Sequence, residues 1–434
     1  MFTVLAAITL LPALLGMLGD KVLSKKQRRQ RAMGLILPET TAGSLWARWA
    51  QLPLKAPRTT AVVALALLAA LAAPALSMRV GNSDASSDPA GSPTREYYDL
   101  MAPAFGEGVD AGLVLVAEVP DAAAATAFNH LAAQLPDVAG VASVQAAPAE
   151  AGQPVAIAAV VPTTSAQTAE TQDLVDALRT DVIPAAESGT GLQVYVGGET
   201  ATNVDIAEAL MGKLPLYLGL VALLGFVLLV VAFRSILVPL VGALTNLLTL
   251  AVGLGAITAI FQLGWGSGLL GVGSGAPIMY IVPVIIVGVM FGLSMDYQVF
   301  LVSRMHEEWV HTRDNARAVR VGVAETGRVI ATAATIMLAV FASFGFSGER
   351  IVSAIGIGLA IAVLVDAFLV RLTLVPALMR LLGKRNWSYP RWADRITPHL
   401  SVEGAMETTA GTAGADEHAR LVGAGAGPGD RYLD

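Results

Sequence analysis

The stretch "FGLSMDYQVFLVSRMHEEW" (Phe291–Trp309) decides how the chain is read. Its first half is apolar enough to lie in a membrane, and its second half carries Arg304, Glu307 and Glu308. Between them sits an acid, Asp296. A charged Asp at the centre of a bilayer helix costs roughly 2.5–3.5 kcal/mol, so something must offset that cost. Arg304 follows eight residues later. That separation is about 12 Å along a helix, so an Arg304 at the inner interface puts Asp296 well inside the hydrocarbon.

The apolar character extends in both directions. Of 434 residues, 55% are hydrophobic and only 14% charged, against about 25% charged in soluble proteins. A helix needs about 20 apolar residues to cross a bilayer. Six stretches meet that length: 60–78, 213–233, 236–261, 278–303, 328–347 and 351–372. A shorter apolar run, 1–19, precedes them; its basic residues follow it, unlike those of a secretory signal. Lys and Arg set the direction, because they accumulate on the cytoplasmic side. Residues 20–58 hold nine of them, and the loop 304–328 holds five. Residues 79–212 hold three against 18 acids. The charges therefore place 20–58, 304–328 and the C-terminus in the cytoplasm and 79–212 outside.

The outside segment is long enough for one small domain. "AGLVLVAEV" (111–119) reads as a strand and 121–134 as a helix. Strands follow at 140–147 and 154–161, then a helix at 167–184 and a strand at 192–197. The order β-α-β-β-α-β is the ferredoxin-like pattern. The fold class expected is thus a polytopic α-helical membrane protein with one extracytoplasmic α+β (ferredoxin-like, βαββαβ) domain.

Several chemistries have no residues to support them. With no cysteine, disulfides and thiolate metal sites are excluded. No metal-ligand cluster or nucleophile–base pair stands out in the outside domain, no cofactor is called for, and no large basic surface suits nucleic acid. The partners expected are membrane lipids and a hydrophobic substrate.

The chain also repeats itself. "ITLLPALLGMLGDK" (8–21) aligns without gaps to "LTLVPALMRLLGKR" (372–385), each copy running into basic residues. Duplicated halves are a signature of transporters. The expectation is that 1–19 is the end of a span from an earlier repeat, most of which is absent.

Gly288, Gly292 and Asp296 fall at i, i+4 and i+8, near one helix face. A GxxxG pair admits close helix approach, so Asp296 is expected to face a tight helix contact rather than lipid. Tyr297 lies about 100° round the helix and can address a different neighbour. A buried carboxyl beside a tyrosine hydroxyl is the kit for a proton relay. Asp366 is the second acid, with Arg371 five residues on; a structural ion pair near the inner interface is expected of them. Thr332 and Thr335 are candidates to lend hydroxyls to a polar path, with helix packing as their simpler use.

"GLSMDYQVFLVSRMHEEW", "TGRVIATAATIMLAVFASF", "VDAFLVRLTLVPALM" and "VAFRSILVPLVGALTNLLTLAVGLGA" (231–256) resemble the MMPL branch of the RND (resistance–nodulation–division) transporters. The resemblance covers about 1–390. It implies twelve spans in two repeats, each repeat with an extracytoplasmic porter domain, in the bacterial plasma membrane. It implies proton-driven export of lipids or other hydrophobic molecules. The family's relay is a pair of Asp-Tyr dipeptides, one per repeat; the second carries over to Asp296 and Tyr297, and the first has no counterpart here. The expected organisation is then the end of span six (1–19), a basic cytoplasmic linker (20–59), a span (60–78), a porter-like domain (79–212), a five-helix bundle (213–372) and a cytoplasmic tail (373–434), disordered from about 401. A first-repeat polypeptide or homologous subunit is the implied partner. The alternatives are a truncated, non-transporting scaffold or subunit, and an intramembrane aspartyl protease. The protease reading suffers from the absence of a Gly-x-Gly-Asp setting at either acid.

Overall fold

The computed structural model describes residues 9–10, 12–14, 16–18, 48–49 and 51–390. The described residues of 1–19 are helical; the rest of that run, most of the basic linker and the tail from 391 lie outside the described residues.

Among the described residues, six helices are long and apolar enough to cross a membrane. The first, α1 (Pro57–Ala72), opens with proline at its first turn, where the missing N–H costs nothing. A short 3-10 turn extends it to Ser77. The chain then leaves the bundle. Helix α2 (Pro93–Phe105) is capped by Ser92, whose hydroxyl accepts from the Arg95 N–H at 3.3 Å. Sequence reading passed over this helix, although its Ser-Pro start is a helix signal.

Strand β1 (Leu113–Glu118), helix α3 (Ala122–Gln134), strands β2 (Val141–Ala146) and β3 (Val155–Pro162), helix α4 (Ala169–Ala177) and strand β4 (Gln193–Gly197) follow in that order. They form one antiparallel sheet of order β2-β3-β1-β4. β1 is central: Leu115 pairs with Ala158 on one side and Val196 on the other. Its alternation sends Leu113, Leu115 and Ala117 inward against Phe128, Leu131, Leu174 and Leu178. The opposite sheet face leaves Val155, Ile157 and Tyr195 exposed.

The remaining spans are α5 (Glu199–Phe233), α6 (Leu237–Ile257), α7 (Ile281–Thr312), α8 (Asn315–Gly345) and α9 (Arg350–Leu364). Two boundaries differ from expectation. α5 starts at Glu199 rather than 213, so the end of the segment assigned to the outside domain is the unbroken beginning of a span helix. Hydropathy reports only the part of a helix that meets lipid; backbone hydrogen bonding carries it further. At the other end, α9 runs into a π-helical stretch, Val365–Leu374, and then α10 (Val375–Leu382). Residues 373–387, expected in the tail, instead pack in the bundle: Val375, Ala377 and Met379 are buried, and Trp387 stacks on Trp309. The buried Asn386 side-chain amide donates to the Met379 carbonyl at 2.6 Å, and the Asn386 backbone carbonyl accepts from the Ser235 hydroxyl at 2.5 Å.

Close packing in the bundle depends on glycine. A Cβ on Gly358 of α9 would overlap Ile286 of α7 at 2.6 Å and Ile257 of α6 at 2.7 Å. The absence of side chain there brings α9, which leads into Asp366, against both helices.

Candidate functional site

Helix α7 presents two opposed polar faces within five residues. Ser294 and Gln298 are buried and belong to its inward stripe with Met290, Leu301 and Met305. Two residues correspond to about 200° of rotation, so Asp296 points away from them. It is exposed, as are Gly288 and Gly292. A Cβ on Gly292 would meet nothing within 4 Å, and one on Gly288 would meet only the Tyr217 hydroxyl, at 3.0 Å. Among the described residues, the expected tight helix contact is therefore missing at Gly292 and limited to the Tyr217 hydroxyl at Gly288. Gly288, Gly292 and Asp296 are all exposed, and no described helix of this chain covers Gly292.

The inward face meets Asp366 and Arg371. Both are buried, 5% and 1% exposed. The Arg371 Nε donates to Asp366 Oδ2 at 2.6 Å. The pair is five residues apart, a spacing an α-helix would splay. The π stretch Val365–Leu374 brings them together, because a π turn closes i onto i+5. Asp366 Oδ1 accepts from Thr249 of α6 at 3.3 Å and from Ser294 of α7 at 3.4 Å. Arg371 Nη2 donates to the Ser294 hydroxyl at 2.7 Å and also to its backbone carbonyl. The pair lies level with Ser294, ten residues before Arg304 on α7, which is about 15 Å of helix. The inner-interface position expected for it is thus corrected to the depth of Asp296.

Tyr297 stands between the two faces. It is half-buried, the Arg371 guanidinium carbon lies 5.5 Å from its ring centroid, and its hydroxyl donates to Met337 Sδ at 3.6 Å. Thr332 and Thr335 do not join this cluster. Their hydroxyls donate to Arg328 and Ala331 carbonyls, one turn back on their own helix, at 2.8 and 2.7 Å. Two participants were missed in the sequence, Thr249 and Ser294, as were the buried polar residues Asn246 and Gln298. The available signal was polar residues inside apolar runs, as in "ALTNLLTL" (243–250). At the far end of α7, Arg304 pairs with Glu307 and Glu325, and Arg317 pairs with Glu308.

A cavity of about 370 Å³ opens beside the sheet unit. Asp84, Tyr98, Glu107, Asp110 and Glu199 line it, with no Lys or Arg. Burial pushes the Tyr98 hydroxyl above its ordinary value, and the nearby Glu107 and Asp84 charges add to the shift. Among the described residues, no group of three or more His, Asp or Glu is placed to hold a metal ion.

Residues 87–400 match the sequence profile of the MMPL family. The chain belongs to the MMPL family. It is thus a multi-pass membrane protein of the RND/MMPL transporter group. It is 36% identical over 410 residues to "Membrane protein YdfJ" of Bacillus subtilis, covering 94% of this chain and 55% of that protein. It is 33% identical over 406 residues to "Mycolic acid-containing lipids exporter MmpL11" of Mycolicibacterium smegmatis, covering 92% and 42%. "Trehalose monomycolate exporter MmpL3" of the same organism is 38% identical over 258 residues, covering 58% and 25%. The chain spans about half the length of the first two relatives, or somewhat less.

Proposed function

We propose that this MMPL chain is the C-terminal half of a proton-driven exporter of lipids or other hydrophobic compounds, with Asp296 and Tyr297 as half of its proton relay. One observation carries the reading. An acid of a membrane-spanning helix points away from its own bundle, on a glycine-lined face that no described helix covers. A charge left there in lipid is costly, whereas a second bundle docking on Gly288 and Gly292 encloses it. Asp296 then exchanges a proton with the opposing half. Tyr297, next to Asp296 in the chain and with its ring beneath the Arg371 guanidinium, relays the change of charge to the buried Asp366 pair. The share of the relatives' length that the chain spans supports the same reading. The sheet order β4-β1-β3-β2, read in reverse, is that of a ferredoxin-like unit, which supports a porter-type domain at 79–198. The Lys/Arg distribution supports placing that domain outside and the 304–328 loop in the cytoplasm.

Asp296→Asn in the complete transporter is expected to abolish proton-coupled export while leaving membrane insertion intact. Normal coupled transport by that variant overturns the relay. A non-transporting subunit is the second reading, favoured by the uncovered face. Vesicles holding this chain alone, compared with vesicles holding it together with a first-half polypeptide, separate the two: the relay requires proton flux only in the second.

A further inference from the structure

The α6 residues Gly242, Asn246, Thr249 and Gly253 recur at i, i+4, i+7 and i+11, so they form one stripe. Thr249 touches Asp366. Two turns away, a Cβ on Gly242 would stand 3.0 Å from Gln298 Nε2 of α7. Asn246 lies between these points. The stripe therefore runs from the Asp366–Arg371 pair toward the bundle end that carries Arg304, with Gln298 one turn beyond Ser294 on the facing helix.

Asn246 and Gln298 are each only 5% exposed. Among the described residues, Asn246 Oδ1 and Gln298 Nε2 nonetheless have no hydrogen-bond partner, and neither does Arg371 Nη1. Leaving such a group unpaired is costly, and more than about 90% of buried polar groups are paired. An acceptor on α6 and donors on α7 and Arg371 match what a water molecule offers, since it donates and accepts at once. Glycine at 242 lets the α6 backbone come close to the Gln298 side chain, where a Cβ would crowd its amide. Leu229 packs over Gly242, 3.3 Å from where its Cβ would stand, and fully buried Leu301 lies one turn further along α7. These apolar groups close the stripe toward the Arg304 end in this conformation.

We propose that Asn246 and Gln298 hold water in a polar passage between α6 and α7 that connects the Asp366–Arg371 pair to the Arg304 end of the bundle. Water held there gives protons a route between the buried pair and that side, with Leu229 and Leu301 as the apolar stop. That protons use the passage rests on the relay reading; that water enters it does not.

The chain has no cysteine, so single-cysteine variants report without background. Asn246→Cys and Gln298→Cys, in the full chain in sealed membrane vesicles, are treated with silver ion, which is water-sized and does not cross lipid. Protection from maleimide after unfolding measures the reaction. Both are expected to react about tenfold or more faster than Ile286→Cys, a fully buried apolar site on α7. They should do so from the same side as Arg313→Cys. The two positions lie on different helices, so a folding failure in one leaves the other to decide. Rates no faster than that of Ile286→Cys overturn the passage. In the complete transporter, Gln298→Leu is expected to slow proton flux about tenfold while Gln298→Ser, which still holds water, retains it. Fast labelling combined with unimpaired coupling in Asp296→Asn refutes the relay and leaves the passage standing.

Discussion

Arg371 is among the largest fully buried side chains, and its charge is met by Asp366, the Ser294 carbonyl and hydroxyl, and the Tyr297 ring. Removing one member leaves a buried charge without its counter-charge, which costs about 3–5 kcal/mol. Arg371→Met alone is therefore expected to lower thermal stability sharply in detergent. The double variant Asp366→Leu with Arg371→Met should recover most of that loss, because apolar replacement of a buried pair is often neutral. A double variant as unstable as the single one contradicts this account. Asp296 makes no such contribution in the isolated chain. Asp296→Asn should leave its melting temperature unchanged, which makes the transport assay above a test of chemistry rather than of folding. Tyr98 offers a pH test outside the membrane. Its proton is held more tightly in the fold than in the unfolded chain. The associated stability is fully present below about pH 10 and is lost as the pH rises toward the folded value. Tyr98→Phe should flatten that alkaline decline in an unfolding titration.

At the scale of elements, the short sequence between α9 and α10 shows how local geometry makes a site. The π stretch aligns Asp366 with Arg371 and turns both toward α6 and α7. The same helix begins at Arg350, whose guanidinium donates to the carbonyls of Phe261, Ser87, Val272 and Ser274 at 3.3, 2.9, 2.8 and 2.5 Å. It ties the segment leading into the sheet unit to the loop before α7. Hydrogen bonds to a charged group contribute about 1.5–3 kcal/mol each, without simple additivity. Arg350→Ala should consequently make the 264–277 loop more sensitive to proteolysis, with the helical content unchanged. Glycines separate the two kinds of helix face. Gly358→Ala should destabilise the chain by about 1–3 kcal/mol, the usual cost of overpacking. Gly292→Ala, in open space, should leave the chain's own melting temperature alone and, on the proposed function, weaken its association with a first-half bundle. Equal effects of the two substitutions on the isolated chain would count against an uncovered α7 face.

The described residues combine a bundle of apolar helices with a sheet unit that covers one of its own faces and leaves Val155, Ile157 and Tyr195 on the other. The number of spans, their approximate positions and the strand order were legible in the sequence, because hydrocarbon thickness and the alternation of strands impose periods that composition cannot hide. So was the stripe of Gly288, Gly292 and Asp296, since a regular helix fixes which residues share a face. The helix ends were not legible: α5 and the α9–α10 rod continue past their apolar windows on backbone hydrogen bonds and local packing. What lies opposite each face was also out of reach. Sequence placed Asp366 and Arg371 within reach of one another, but only the folded chain set them at the depth of Asp296, with Thr249 and Ser294 supplying hydroxyls from two other helices. Spacing along one helix is a local property of the backbone. The neighbour that meets a side chain is chosen by how distant helices pack, and in this chain packing buries one acid and leaves the other facing outward.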